Sequence, residues 1–213
     1  MSEQISHHIP DSMLAAYAAG SLPKPFALVV ATHVSMCDEC RARLLTHQAV
    51  GGAVLETTDE IAVSDDMRAD VMALLDAEFE PEPAPRAREG VYPGPIMEAL
   101  KGKQPRWRKL GGGVSQCILE MGGEGSVRLL HIPAGRPVPE HTHGGLELTL
   151  VLQGGFSDTT GHFDVGDVEI ANDDLEHVPT ADEGADCICL AATDAPLRFS
   201  ALIPRVLQPF FAI

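Results

Sequence analysis

A histidine and two cysteines stand close together near the start of the chain, in the segment His33-Val-Ser-Met-Cys37-Asp-Glu-Cys40. On an α-helix, residues three and four positions apart lie above one another, so these three side chains would share one face. Thiolate and imidazole are the ligands of structural zinc, which usually has four of them in a closed tetrahedral site. The spacing therefore predicts three ligands of a zinc site that is built largely on one helix.

The fourth zinc ligand must come from another histidine. His47 is a poor candidate, because seven further helical residues would place it about 10 Å along the helix axis from Cys40. His7 and His8 remain, close to the N-terminus, and His8 is the preferred one. The alternative is that the two cysteines are buried apolar residues beside an incidental histidine. We favour the metal site because thiols and imidazole coincide on one predicted face in a chain with only five cysteines.

A second group of possible metal ligands lies in the C-terminal half, in the pattern Gly135-x5-His141-x-His143-x3-Glu147-x6-Gly154. In an extended segment the two histidines point to the same side, and a bend at two glycines lets Glu147 return to them. A fourth ligand is expected from a distant strand, where His177 is the best candidate and His131 and His162 are weaker ones. Imidazole and carboxylate suit Zn²⁺, Fe²⁺, Mn²⁺, Ni²⁺ or Cu²⁺, so the ligands alone do not choose the metal.

The two groups lie in regions of different periodicity. Residues 11–80 have the helical period, with one helix near Asp11 or Ser12, a second beginning at Pro23, a third ending at Gly51-Gly52 and a fourth capped by Ser64. Beyond Gly111, short runs with a period of two predict six or more strands and a barrel or jelly roll. These runs are centred on residues 114–120, 127–132, 147–153, 167–171, 187–192 and 197–203.

The segment from Glu80 to Pro95 is rich in proline and predicts a semi-extended linker. The sequence therefore predicts two domains, an all-α zinc-binding domain (1–85) and an all-β metal-binding domain (106–213), joined by a linker (86–105). The fourth helix would carry an apolar stripe formed by Met67, Val71, Leu74, Leu75 and Phe79. This stripe is interpreted either as intramolecular core or as a surface for another protein, and the sequence does not decide between them.

Composition narrows the function classes. The net charge of −16 argues against direct nucleic-acid binding and makes a basic protein partner more plausible. The five cysteines form no disulfide framework, and the N-terminus has no signal-peptide pattern. No apolar run is long enough to span a bilayer. We therefore expect a cytoplasmic protein with reduced thiols and no membrane association.

The second ligand pattern resembles the first motif of the cupin superfamily in full, and the segment from Gly161 to His177 resembles the second motif in part. Residues 172–174, Asn-Asp-Asp, stand where a Pro-x-Gly turn is usual, and Ala181 stands where many cupins have Asn. These departures argue against a standard cupin substrate. The resemblance implies a fold and a metal site, and this fold serves enzymes, sugar binders and sensors alike.

The helical His-x3-Cys-x2-Cys segment followed by a cupin pattern resembles the ChrR family of zinc-dependent anti-sigma factors over nearly the whole chain. The resemblance implies that the N-terminal domain binds an extracytoplasmic-function sigma factor in a 1:1 complex and keeps it from core RNA polymerase. It implies one zinc held by His8, His33, Cys37 and Cys40, and a second held by His141, His143, Glu147 and His177. In that family the cupin-like domain is associated with the response to singlet oxygen and organic peroxides, so negative regulation, and not catalysis, is expected.

Two alternatives compete with this interpretation. A cupin metalloenzyme of the dioxygenase type with a helical extension would explain the second ligand group but not the separate thiol site. A binding cupin that senses a small ligand would differ from the first interpretation only in its signal. Cys187-Ile-Cys189 either takes part in oxidant chemistry or, because its thiols alternate on a predicted strand, packs in the barrel interior.

Overall fold

The computed structural model describes residues 5–75, 83–122, 125–139, 141–142, 144–173, 175–195 and 198–199. Within these residues the helices are α1 (Asp11–Ala18), α2 (Lys24–Met36), α3 (Asp38–Glu56), α4 (Asp65–Leu75) and α5 (Gly94–Ala99). Phe79 and His143, which carry two of the sequence-based predictions, lie outside the described residues.

The spacing predicted that the zinc ligands lie largely on one helix, and this is wrong. One helix ends and the next begins at Cys37. α2 ends at Met36, and Cys37 has an extended backbone with φ −111° and ψ 111°. Extended geometry is typical of the residue that caps a helix, and the Cys37 thiol caps α3 by accepting the Cys40 N–H at 3.4 Å. His33 and Cys40 are therefore supplied by two helices, with Cys37 at the junction.

The predicted end of the third helix is also wrong, because α3 continues through Gly51 and Gly52 to Glu56. A glycine costs about 1 kcal/mol relative to alanine inside a helix, which is too little to stop one whose neighbouring residues favour it. The predicted start of the fourth helix is confirmed. α4 begins at Asp65, and the Met67 N–H donates to the Ser64 hydroxyl at 3.2 Å.

Helix α5 lies within the segment predicted as a linker. Pro93 precedes it, and its residues Ile96 and Met97 are buried. α5 packs against α2, so this part of the segment is anchored to the helical region. The division into 1–85, 86–105 and 106–213 stays a prediction.

The remainder of the described chain forms antiparallel sheets. The strands are β1 (Arg108–Gly111), β2 (Val114–Gly122), β3 (Gly125–Ile132), β4 (His141–Thr142), β5 (Glu147–Gln153), β6 (Phe156–Ser157), β7 (His162–Phe163), β8 (Val168–Ala171), β9 (Glu176–His177), β10 (Thr180–Ala181), β11 (Cys187–Thr193) and β12 (Arg198–Phe199). A six-stranded sheet has the order β1-β2-β3-β11-β5-β8, and two three-stranded sheets have the orders β10-β6-β7 and β12-β4-β9. Strands thus occur at each of the six predicted runs.

The central strands β3, β11 and β5 of the large sheet are buried on both faces, and alternate residues of β11 belong to different cores. Ile188 and Leu190 join a core that also contains residues of α1, α2, α3 and α5. Cys187 and Cys189 join a second core, which includes the phenylalanines of β6 and β7. Burial on both faces explains why β11 is apolar throughout instead of alternating with polar residues. Helix α2 lies against β3, β5 and β11, so the helices cover one face of the sheet.

Among the described helices, none combines the length and the apolar character that crossing a bilayer requires.

Candidate metal centre

His8, His33, Cys37 and Cys40 come together in one cluster at the junction of α2 and α3. Their potential ligand atoms all lie within 4.8 Å of one another. The His8 Nδ1 atom is 3.4 Å from the Cys37 Sγ and 3.6 Å from the Cys40 Sγ. In a tetrahedral zinc site with ordinary bond lengths, neighbouring nitrogen and sulfur ligands are about 3.6 Å apart. The cluster therefore fits zinc both in its residue types and in its spacing.

The sheet domain orients the side chain of His33. This side chain is fully buried, and its Nδ1 lies 2.9 Å from the Gly166 carbonyl oxygen. Because a carbonyl can only accept a hydrogen bond, Nδ1 carries the proton and Nε2 presents a lone pair. Nε2 is buried and has no hydrogen-bond partner among the described residues. Burying a polar atom without a hydrogen-bond partner costs free energy. The adjacent thiols indicate that a metal ion is the partner of this nitrogen.

Burial sets the protonation of this cluster. It lowers the pKa of His33 to about 4, so the imidazole is neutral at pH 7, as a metal ligand must be. Burial also raises the pKa of the Cys40 thiol to about 11. The Arg43 guanidinium, 3.9 Å from the Cys40 sulfur, lowers this pKa but does not offset the burial. A thiolate at Cys40 therefore requires a further positive charge, which a bound cation would supply.

The structure separates the two N-terminal histidines that the sequence left as alternatives. His8 turns its Nδ1 towards the cysteines, and its Nε2 lies 3.4 Å from a carboxylate oxygen of Glu39. His7 instead packs against Phe163, with the two rings tilted by 42° and their centroids 4.5 Å apart. His47 lies 3.4 Å from Asp11 and does not belong to the cluster. Of the three histidines considered, only His8 is in a position to complete the site.

The residues predicted to bind a metal in the sheet domain are described only in part. Strands β4 and β9 pair so that His141 lies opposite His177. Glu147 begins β5, and its carboxylate accepts a hydrogen bond from the Thr149 hydroxyl at 3.0 Å. The side chain of His141 and the whole of His143 are outside the described part of the chain. The four-residue site therefore stays a prediction, supported by the adjacency of two of its members.

His177 is held by two carboxyl groups that the sequence did not single out. Its Nδ1 lies 2.6 Å from Asp158 Oδ2 and 3.3 Å from Glu169 Oε1. All three side chains are at least 95% buried. Their ligand atoms also lie within 4.8 Å of one another, so this group too has the composition of a metal site.

Asp158, Glu169 and His177 each shift the pKa values of the other two. Burial acts to raise the pKa of Asp158, but hydrogen bonds from Thr160, Glu169 and His177 together lower it. Burial acts to lower the pKa of His177, but Glu169 and Asp158 raise it. The pKa of Glu169 is raised, mainly by burial. Glu169 is therefore the carboxyl group that more readily keeps a proton, and Asp158 is the ionised partner of His177.

The weaker candidates for the fourth ligand in the sheet domain have other partners. His131 lies 3.0 Å from Asp186 and packs beside Trp107. His162 lies 2.7 Å from Asp182 and 3.4 Å from Asp164, at an exposed position.

Comparison with known proteins places the chain in a family. Residues 97–196 match the family described as the ChrR cupin-like domain. Over 212 residues the chain is 55% identical to the anti-sigma-E factor ChrR of Cereibacter sphaeroides, which covers 98% of this chain and 99% of that protein. This chain belongs to the ChrR family of anti-sigma factors.

A solved structure supports the same assignment. The crystal structure of Rhodobacter sphaeroides SigE in complex with the anti-sigma ChrR matches with a TM-score of 0.79. The matched chain is 53% identical, and the match covers 90% of this chain and 100% of that one. Helices followed by a cupin-like sheet domain are therefore the architecture of this ChrR-family protein. The family is regulatory, so the metalloenzyme interpretation is not retained.

Sequence reasoning missed Asp158 and Glu169 in this ChrR-family chain, although both left a signal. Glu169 is a charged residue within the otherwise apolar strand Val168–Ala171, and a buried charge requires a partner. Asp158 precedes a turn, where its carboxylate accepts the Thr160 N–H at 2.7 Å. The cupin motif specifies histidine and glutamate ligands, and it contains no position for the carboxyl groups that contact His177.

Cys187 and Cys189 lie in the interior of the sheet domain. Their sulfur atoms are 3.3 Å apart and both side chains are buried. The hydrogen bond to Cys187 and burial together raise the pKa of Cys189, which keeps it a thiol. Of the two interpretations of this pair, the structure supports a shared interior position.

The described members of the apolar stripe of the fourth helix, Met67, Val71, Leu74 and Leu75, are exposed, together with the second half of α3. No residue of α4 is buried. We use the name α3–α4 surface for the exposed apolar side chains of these helices and their connection: Leu45, Val50, Val54, Leu55, Ile61, Val63, Met67, Val71, Met72, Leu74 and Leu75. Exposed apolar side chains that recur along a helix are typical of a surface for another protein.

Proposed function

We propose that this chain binds an extracytoplasmic-function sigma factor in a 1:1 complex in the cytoplasm and keeps it from core RNA polymerase. The observation that carries the proposal is the α3–α4 surface in a chain that is 55% identical to an anti-sigma-E factor. The relative of known structure was crystallised in complex with SigE, which supports a sigma factor as the partner that covers this surface.

The charge of the chain fits such a partner. A sigma factor has partly basic surfaces for polymerase and DNA, and a net charge of −16 attracts them at long range. The apolar side chains would then supply the buried area on which affinity depends. Electrostatic attraction would favour the encounter of the two proteins, and burial of the α3–α4 surface would stabilise the complex.

The cluster of His8, His33, Cys37 and Cys40 would hold structural zinc. Bound there, zinc supplies a four-ligand crosslink and the free energy that a small helical unit needs to stay folded. His33 is oriented by its Nδ1–H bond to Gly166, and the Cys37 thiol caps α3. The cluster thereby fixes the angle between α2 and α3, and with it the direction in which the α3–α4 surface faces.

The sheet domain would be a jelly-roll barrel that acts as the sensor, with a second zinc held by His141, His143, Glu147 and His177. The pairing of His141 opposite His177 supports this set. Asp158 would orient His177 through its Nδ1. Release of the sigma factor would follow exposure of this domain to singlet oxygen or related oxidants.

Co-expression with the sigma factor encoded beside it tests the binding proposal. The wild-type chain should co-purify with the sigma factor in a 1:1 complex. Replacing Leu55 and Leu74, which are 73% and 71% exposed, by Asp should weaken binding about 100-fold or more, because two charges would then be buried in the interface. Gln48→Asp is the matched control, since it adds a charge at an exposed position of α3 without removing an apolar side chain. Wild-type affinity in the Leu55→Asp, Leu74→Asp chain would overturn the assigned surface.

Release by oxidant tests the sensor proposal. His141→Ala and Glu147→Ala should each bind the sigma factor within about threefold of wild type, because neither residue belongs to the α3–α4 surface. Both should fail to release it when singlet oxygen is generated by a photosensitiser. Normal release from either variant would contradict the sensing role while leaving the binding proposal intact.

A further inference from the structure

We infer that Asp167 and Gly166 of the sheet domain are positioning residues for the His8, His33, Cys37 and Cys40 cluster. This inference rests on the proposed zinc site and goes beyond it, because it makes the retention of that zinc depend on a turn of the other domain. The turn precedes β8 and contacts both protein segments that supply the histidine ligands.

Asp167 binds the N-terminal segment. Its Oδ1 accepts the backbone N–H groups of Ser6 at 2.7 Å and His7 at 2.8 Å. Its Oδ2 accepts the Asp164 N–H at 3.0 Å, which secures the turn itself. Only 2% of the residue is exposed. Such charge-assisted hydrogen bonds in a buried position are among the stronger ones in proteins.

The backbone on either side of Asp167 extends this contact. The Val168 N–H donates to the His7 carbonyl oxygen at 3.2 Å, immediately before the ligand His8. On the other side, the Gly166 carbonyl accepts the Nδ1–H of the ligand His33 at 2.9 Å. Gly166, Asp167 and Val168 therefore hold the side chain of His33 and the backbone that immediately precedes His8.

Gly166 is required for this approach. Its φ of +97° is unfavourable for any residue with a side chain. A Cβ atom there would also lie 2.5 Å from the Ile5 Cδ1, inside the contact distance of two carbon atoms. The turn thus has the backbone geometry and the close fit that let the N-terminal segment lie directly against it.

Zinc retention should respond to this turn. The Gly166 carbonyl is the outer hydrogen-bond partner of the ligand His33, and the loss of such a partner typically lowers metal affinity about 10- to 100-fold. Asp167 acts indirectly, by holding the backbone that leads into His8. In Asp167→Asn the amide has one acceptor oxygen, so its NH2 group must face either the Asp164 N–H or the N–H groups of Ser6 and His7, and every remaining hydrogen bond loses the support of the carboxylate charge. The N-terminal segment would then separate from the turn more often, and the cluster would open with it.

The test is residue-resolved alkylation of the full-length, zinc-loaded chain by iodoacetamide, followed by mass spectrometry. In Asp167→Asn, we expect Cys37 and Cys40 to react at least about tenfold faster than in wild type, since a hydrogen bond to a charged group is worth about 10- to 100-fold in an equilibrium constant. The buried cysteines of the sheet domain, Cys117, Cys187 and Cys189, should react at the wild-type rate and serve as internal controls for its folding. Asp164→Asn is the matched variant, since it removes a charge from the same turn and keeps the N–H that Asp167 accepts.

A second variant decides the case in which Asp167→Asn also exposes the cysteines of the sheet domain. Ser6→Pro removes the backbone N–H and the hydroxyl that Ser6 directs at Asp167, and it changes no residue of the sheet domain. Faster alkylation confined to Cys37 and Cys40 in this variant would uphold the inference. Wild-type rates at both cysteines would overturn it, as they would in a folded Asp167→Asn chain. Sigma binding by the wild-type chain is a separate measurement, so a failure here is distinguishable from failure of the proposed function.

Discussion

Helix α3 is buried at its first turns and exposed at its end. Near the start, Cys40 and Leu44 are 0% and 8% exposed and belong to the core shared with the sheet. Near the end, Val54 and Leu55 are 62% and 73% exposed. One end is fixed by this chain's own cluster and sheet, and the other presents exposed apolar side chains. The helix thereby connects a structural site with a binding site.

The largest expected difference between the two regions concerns folding. Ile96 of α5 is fully buried, whereas Ile61 of the α3–α4 surface is 88% exposed. Ile96→Ala should lower the free energy of unfolding by about 2 to 5 kcal/mol, because it leaves a cavity in the core. Ile61→Ala should change it by less than about 0.5 kcal/mol. Urea denaturation of both variants measures this difference.

The same two substitutions should affect the affinity for the sigma factor in the opposite order. Folded Ile96→Ala should bind the sigma factor as wild type does, whereas Ile61→Ala should bind more weakly. If Ile61→Ala destabilised the fold as much as Ile96→Ala, the division of the helical region into core and binding surface would be wrong.

A smaller difference is expected between adjacent histidines. His8→Ala should transfer its zinc to a chromophoric chelator about 10 to 100 times faster than wild type, since a ligand is lost. His7→Ala should have a clearly smaller effect, because it loses the 3.4 Å contact of the imidazole with Asp167 but retains the backbone N–H that Asp167 accepts at 2.8 Å. Equal rates in the two variants would mean that the cluster does not use His8.

The sequence predicted the chemistry of the N-terminal cluster more accurately than its backbone. The residue types and the closeness of His33, Cys37 and Cys40 sufficed to select the residues that meet in space. A helical period, however, cannot show that α2 ends before Cys37 and that the Cys37 thiol caps α3. The cap depends on a hydrogen bond between side chain and backbone.

The contacts between the helices and the sheet were beyond sequence reasoning. Gly166 and Asp167 lie more than 130 residues from the histidine segments that they hold, and no local pattern relates them. The burial of α5 was likewise hidden in a proline-rich segment whose composition indicates a linker. By contrast, the strands of the sheet domain were predictable, because their short apolar runs are separated by turn residues.

The smallest effect is expected at the start of α4. The Ser64 hydroxyl accepts the Met67 N–H, and Ser64→Ala should lower the stability of this helix by about 1 kcal/mol. Hydrogen exchange should therefore accelerate in α4 and remain unchanged in α2. A parallel acceleration in α2 would show that α4 and the buried region unfold together.

Binding of the sigma factor by a chain without the two thiol ligands tests the central claim most directly. We predict that Cys37→Ser combined with Cys40→Ser weakens the complex at least about 100-fold, because without zinc the cluster no longer fixes α3. His47→Ala, which changes a histidine outside the cluster, should bind as wild type does. A doubly substituted chain that binds the sigma factor with unchanged affinity would contradict the account.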